Sequence, residues 1–193
     1  YDFFMVDEDH LCLVIADVSE KGVPAALFMM SSMIIINNRA KQGGTPGEIL
    51  TDANAQIWKN NDTKMFVTVW LGILDLNTGD MVCTNAGHEY PIIRGADGVF
   101  NVFKDKHGAI VGALGKSKYK DYELHLDPGG TILVYTDGVP EANNAEGEFY
   151  GMERLEKTLN KTKAVHPKDI LEAVKEDVDA FAAEPVRCLN HKG

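Results

Sequence analysis

Positive charge is scarce in this 193-residue sequence: 19 lysines and arginines stand against 29 aspartates and glutamates, a formal net charge of −10. Nucleic acid and anionic membrane both require a positive field, so general binding to either is excluded. Cysteine is also scarce. Cys12, Cys83 and Cys188 lie far apart and form no Cys-x-x-Cys pair, which excludes a zinc ribbon and thioredoxin-like chemistry. An odd count with no recognisable signal peptide leads us to expect a reducing compartment. No long apolar run occurs. The most apolar stretch, Val23 to Ile36, is broken by Ser31 and Ser32. It is too short to cross a bilayer and reads as a buried helix. No Gly-x-Gly-x-x-Gly or Walker-type loop occurs, so dinucleotide and P-loop readings have no support. There is no internal repeat and no low-complexity segment.

What is present is ordinary globular material. Hydrophobic residues make up 45% and charged residues 25%, which excludes a disordered tail, a collagen-like fibre and a coiled-coil rod. The length suits one domain with a real core. Leu11 to Ala16 is a continuous apolar run ending at Asp17 and reads as a buried strand. Val18 to Gly22 is a loop, and Pro24 sits where a first-turn proline is tolerated, so a helix is expected to about Lys41. Gly43 and Gly44 stop it. Thr45-Pro46-Gly47-Glu48 carries the cap, proline and third-position acid of a second helix, reaching about Asn60.

From Met65 the period changes to that of strands: Met65 to Asp75, a turn at Asn77 to Asp80, then Met81 to Asn85. Pro91 to Arg94 and Val99 to Phe103 flank a second hairpin turn. His107 to Lys120 reads as a mobile connection. Tyr122 to Leu126 and Thr131 to Tyr135 read as strands around the turn Asp127 to Gly130. Helices follow at about Met152 to Leu159 and Pro167 to Ala182. Helices grouped apart from hairpin-connected strands predict an α+β fold, not a doubly wound parallel sheet.

Two acids occupy equivalent settings. Asp17 follows Leu-Cys-Leu-Val-Ile-Ala and Asp137 follows Thr-Ile-Leu-Val-Tyr-Thr, and a flexible loop comes after each. A carboxylate at the end of a buried strand is rigidly held and aimed at a cleft, which suits a metal ligand or general base. The plainer alternative is a helix N-cap or a turn-opening aspartate.

Four segments carry a resemblance. Asp17 to Ala26 (Asp-Val-Ser-Glu-Lys-Gly-Val-Pro-Ala-Ala), Met65-Phe66-Val67-Thr68, Asn85-Ala86-Gly87-His88 and Tyr135-Thr136-Asp137-Gly138-Val139 occur in that order. Together they resemble the SpoIIE/RsbU-like sporulation and stress-response branch of the type 2C metal-dependent protein serine/threonine phosphatases, over Tyr1 to about Phe181. The resemblance implies two packed antiparallel β-sheets flanked by helices, a four-layer αββα sandwich with a two-metal site of manganese or magnesium at one end. It implies that Asp17 bridges the metals, that the Val18 carbonyl ligates one of them, and that Asp137 holds a metal. Phosphoserine or phosphothreonine would then be hydrolysed by metal-bound hydroxide, with no phosphoenzyme. The implied substrate is a phosphorylated, anti-anti-sigma-like regulatory protein. An upstream sensor or linker domain is implied as well. So is a cytoplasmic location, either free or as the cytoplasmic portion of a membrane-anchored sensor.

The sequence also departs from that pattern. The family's Gly-Gly-Asp, which carries a ligand, would fall before Tyr1. Asp2 would face the wrong side of its strand to replace it. Ala183 to Cys188 stands where an Asp-Asp pair opens the family's last strand. The chain therefore reads as one phosphatase-like domain over residues 1–193 without its first metal-ligand strand and its last strand. Val186 to Leu189 is a short substitute, and an unpaired edge there would favour a homodimer. Glu20 replaces the inner glycine of the Asp17 loop. The alternative function is a catalytically impaired module that binds a phosphoprotein or transmits a signal. Other polar candidates read as structural: His88 as a hydrogen-bonded histidine, Lys21 and Arg94 as solvated cations. Met29, Met30 and Met33 read with Leu27 and Ile34 as core or helix contact.

Overall fold

The computed structural model describes residues 1–183. Along the chain run β1 (Asp2–Met5), β2 (His10–Val18), α1 (Val23–Ala40), α2 (Pro46–Lys59), β3 (Val67–Asp75) and β4 (Asp80–Ala86). There follow β5 (Ile92–Arg94), β6 (Phe100–Val102), β7 (Tyr122–His125), β8 (Thr131–Leu133), α3 (Met152–Lys161) and α4 (Pro167–Ala182). One sheet has five strands in the order β1-β2-β3-β4-β7, the other three in the order β6-β5-β8, and every pairing within them is antiparallel.

Three apolar clusters define four layers. Cys12, Val14, Val67, Val69 and Leu71 of the larger sheet pack under Ile36 of α1 and Ile49 and Leu50 of α2. Ile15, Trp70, Met81 and Cys83 use the opposite face of the same strands, meeting Ile93 and Ile132 of the smaller sheet. Ile92 and Phe100 then pack against Leu155 and Leu159 of α3 and Ile170 and Val174 of α4. The order is helices, sheet, sheet, helices, the predicted α+β sandwich. Alternate residues of β2 enter different clusters, which is why its run is apolar throughout rather than every second position.

The second helix starts as its sequence requires. Thr45 Oγ1 accepts from Glu48 N at 3.4 Å, and Glu48 Oε2 accepts from Thr45 N at 3.0 Å, a reciprocal capping box. Gly47 N donates to Asp121 Oδ1 at 2.6 Å. A Cβ on Gly47 would come within 2.7 Å of the Tyr119 carbonyl, so only glycine allows this approach. Buried Asn54 adds two bonds, accepting from Gly112 N at 2.8 Å and donating to Leu114 O at 2.9 Å. The connection from His107 to Lys120, expected to be mobile, is thus pinned along α2.

Three other expectations change. Arg94 is not solvated: it is buried, donating to Ala164 O and Thr131 Oγ1, each at 2.8 Å, with its guanidinium 5.0 Å from the Phe100 ring centroid. The first helix is buried on one side only. Met29 and Met33 pack on the core, but Val23, Leu27, Met30 and Ile34 are exposed. β8 is shorter than the run from Thr131 to Tyr135. The substitute strand Val186 to Leu189 lies outside the described residues. Among the described residues, no helix is long and apolar enough to cross a membrane.

Candidate active site

Strand parity places the polar groups. Asp17 shares its parity with Leu13 and Ile15, which face the second sheet, so its side chain lies on the inter-sheet face at the strand's end. Thr68 is directly opposite Asp17 across the β2–β3 ladder, and Asn85 is opposite Trp70 across β3–β4. Three polar side chains therefore gather on one face at one end of the larger sheet. Asp137 arrives from the smaller sheet, in the turn that follows β8.

The structure brings the two predicted acids together. Asp17, Val18 and Asp137 line one cavity of about 670 Å³ with Thr68, Thr136 and Glu141. Asp137 is near enough for its charge to act on Asp17. Burial, and then the neighbouring Asp137 charge, push the Asp17 carboxyl above the usual carboxylate range. Asp17 Oδ1 also accepts from Val18 N at 3.0 Å, which fixes its rotamer. The loop beyond is tied to β3, with Phe66 N donating to Ser19 Oγ at 3.1 Å and Ser19 N to Phe66 O at 2.9 Å. Lys21 is exposed on the cavity wall, as expected for a solvated lysine.

His88 belongs to the scaffold of this site. It is 3% exposed. Its Nδ1 lies 2.8 Å from Thr68 Oγ1, whereas that hydroxyl is 3.5 Å from Asp17 O. The Thr68 hydroxyl thus bridges the His88 ring and the Asp17 carbonyl. Nε2 has no partner within regular hydrogen-bond geometry and faces the Tyr135 backbone. Burial depresses the His88 pKa to about 4, so the ring is neutral at physiological pH.

Two further acids, which no sequence pattern above marks, stand beside the cleft. Glu141 lies one helical turn past Asp137, with Glu141 N donating to Asp137 O at 2.8 Å. Its i+4 spacing from Asp137 was the available signal. Glu89 follows His88, and its carboxyl is raised by burial and by the Asp137 charge.

Two carboxylates facing one cavity, with burial and mutual repulsion raising Asp17, form a hard-oxygen pair that a divalent cation would neutralise. These residues fit such an ion. Among the described residues, no third His, Cys, Asp or Glu stands close enough to form a complete ligand group.

Comparisons with known proteins agree with this geometry. The family model for Stage II sporulation protein E (SpoIIE) matches residues 7–187. Protein IcfG of Synechocystis sp. is 29% identical over 208 residues, covering 92% of this chain and 32% of its own length. Phosphoserine phosphatase RsbU of Bacillus subtilis is 29% identical over 148 residues, covering 76% of this chain and 44% of its own length. The chain thus spans less than half of these curated relatives. Among solved structures, the SiaA-PP2C domain of Pseudomonas aeruginosa superposes with a TM-score of 0.79 at 21% identity. It covers 95% of this chain and 72% of that one.

Proposed function

The chain belongs to the SpoIIE family, and from that premise we propose that it is the catalytic domain of a metal-dependent protein serine/threonine phosphatase. The observation that carries this reading is the meeting of Asp17 and Asp137, from different sheets, in one open cavity. Asp17, Val18 and Asp137 would hold a pair of magnesium or manganese ions. Such ions, when bound, supply Lewis-acid activation of the phosphoryl group and of water.

The chain's own residues do the rest. Asp17, near the end of β2, and Asp137, in the turn after β8, place negative charge where the cations belong. Lys21 offers a cation to the phosphate at the cavity wall. His88, buried and neutral, supports Thr68 and hence the strand end opposite Asp17 rather than donating a proton to substrate. The substrate in this reading is a phosphorylated regulatory protein of the anti-anti-sigma type. The domain works in the cytoplasm under an upstream sensor or linker.

The alternative is a phosphoprotein-binding module without turnover, and one observation favours it: no third ligating side chain joins Asp17 and Asp137 among the described residues. Hydrolysis of a phosphoserine protein by the full-length protein, with and without manganese, separates the two. Metal-dependent release of phosphate supports the phosphatase. Binding without release at saturating metal would replace it with the module.

A further inference from the structure

The Asp105 side chain is fully buried, 0% exposed, where the chain leaves β6 of the smaller sheet. A buried carboxylate is tolerated only when surrounding donors satisfy it. Here the donors come from the larger sheet and from its own loop. Asn85 Nδ2 donates to Asp105 Oδ2 at 3.0 Å. His107 Nε2 lies 3.1 Å from Asp105 Oδ1, an ion-pair distance without hydrogen-bond alignment. The Tyr122 hydroxyl accepts from Trp70 Nε1 at 2.7 Å and faces the same carboxylate. The His107 ring is itself braced by Tyr90, with centroids 4.4 Å apart.

Asn85 is the link from this buried acid to the cavity. Its Oδ1 accepts from His88 N at 2.8 Å, and its Nδ2 reaches His88 O at 3.1 Å and Glu89 O at 3.4 Å. The amide closes the turn from Asn85 to His88 from both ends. A side-chain amide can rotate by half a turn, which would exchange donor and acceptor and break these bonds. A carboxylate only accepts, so Asp105 can face only the NH₂ end of Asn85. It thereby fixes which way the amide points. The turn in turn sets His88 against Thr68, across the ladder from Asp17.

We propose that Asp105 is a positioning residue for the reaction at the Asp17–Asp137 cavity, acting through the orientation of the Asn85 amide. For its effect on turnover this rests on the phosphatase reading above. Asp105 touches no substrate. Its role is to keep one arrangement of the Asn85–His88 turn, and with it the Thr68 side of the cavity.

The test uses the full-length protein with Asp105→Ala, Asp105→Asn, Asn85→Ala and the double variant Asp105→Ala/Asn85→Ala. Turnover of p-nitrophenyl phosphate at saturating manganese gives kcat and KM. Nitrogen NMR of the His88 imidazole gives its tautomer directly. Asp105→Ala should lower kcat about tenfold or more, as expected for a misplaced site, with little change in KM. Asp105→Asn keeps an acceptor for Asn85 and should recover much of that loss. In the Asn85→Ala background the Asp105 substitution should cost almost nothing further, because the link is already cut. The His88 signals should split between tautomers in Asp105→Ala and stay single in Asp105→Asn. Lowered thermal stability with unchanged kcat and an unchanged His88 tautomer would overturn the proposal, as would fully additive losses in the double variant. If Asp105→Ala does not fold, the Asp105→Asn and Asn85→Ala comparison carries the test, and equal loss in both at intact tautomer overturns it. If the unsubstituted protein releases no phosphate, the phosphatase reading fails separately. The His88 tautomer then decides for or against Asp105 alone.

Discussion

His88 Nδ1 sits 2.8 Å from Thr68 Oγ1, and Thr68 is the residue directly across the β2–β3 ladder from Asp17. A neutral, buried ring is therefore built into the wall behind the candidate metal ligand. Its pKa is depressed from 6.5 to about 4 by burial. The unfolded chain binds this proton at a higher pH than the folded one does, so stability must rise with pH between about 4 and 6.5. Stability is complete above that window and falls as pH drops through it, by up to ~3 kcal/mol. Denaturant unfolding of the chain at pH 7, 5.5 and 4.5 checks this. His88→Gln should flatten that slope, and an unchanged slope would place the acid sensitivity elsewhere.

A second acid window should be separable from the first. Asp177 joins α4 to α3, accepting from Tyr150 at 2.7 Å, Thr158 at 2.8 Å and Arg154 Nε at 3.0 Å. The Arg154 bond first, and then those hydroxyls, hold its carboxyl down at about 2. Its contribution is present above the ordinary aspartate range and is lost as pH falls from about 4 towards 2. The pair is partly solvated, so the loss should be roughly 1 kcal/mol. Asp177→Asn should remove this low-pH segment and leave the His88 segment intact.

The strand leading to Asp17 was legible because a continuous apolar run stopping at an acid is a one-dimensional pattern, whereas β8 stops at Leu133, short of the end of the apolar run that precedes Asp137. The second helix was legible for the same reason, since its cap is spelled out from Thr45 to Glu48. The facing of α1 was not, because Val23 to Ile36 is apolar at nearly every position and no side stands out. Only packing shows that Met29 turns inward while Met30 and Ile34 do not. Arg94 and Asp105 were opaque for another reason. A charged residue looks solvated in sequence, and its burial depends on partners such as Ala164 and Asn85 that are distant along the chain.

Arg94 gives a direct test of that last point. Its guanidinium satisfies a backbone carbonyl and a threonine hydroxyl and covers the Phe100 ring. Arg94→Ala removes the donors and leaves a buried void, so it should destabilise the fold by about 2–4 kcal/mol. Arg94→Lys should recover only part, since one ammonium cannot reproduce the fork. A loss under 0.5 kcal/mol for Arg94→Ala, the range of ordinary surface changes, would show that the side chain is solvated after all.

The two carboxylates of the cavity should not be equivalent. Asp17 sits on β2, an interior strand of the larger sheet, with its rotamer fixed by Val18 N, and in the family reading it serves both cations. Asp17→Asn removes a full charge from between two divalent ions and should weaken both sites together. Asp137 lies on a turn after β8, so Asp137→Asn should weaken mainly one site. Activity at fixed manganese should therefore fall by about 10³-fold or more for Asp17→Asn, with no recovery at high metal. Asp137→Asn should regain part of its activity as manganese is raised. Calorimetric titration of the full-length protein gives the independent measure: Asp17→Asn should lose binding at both sites and Asp137→Asn at one. Near-normal turnover by Asp17→Asn would remove the two-metal mechanism and bring the phosphoprotein-binding module to the front.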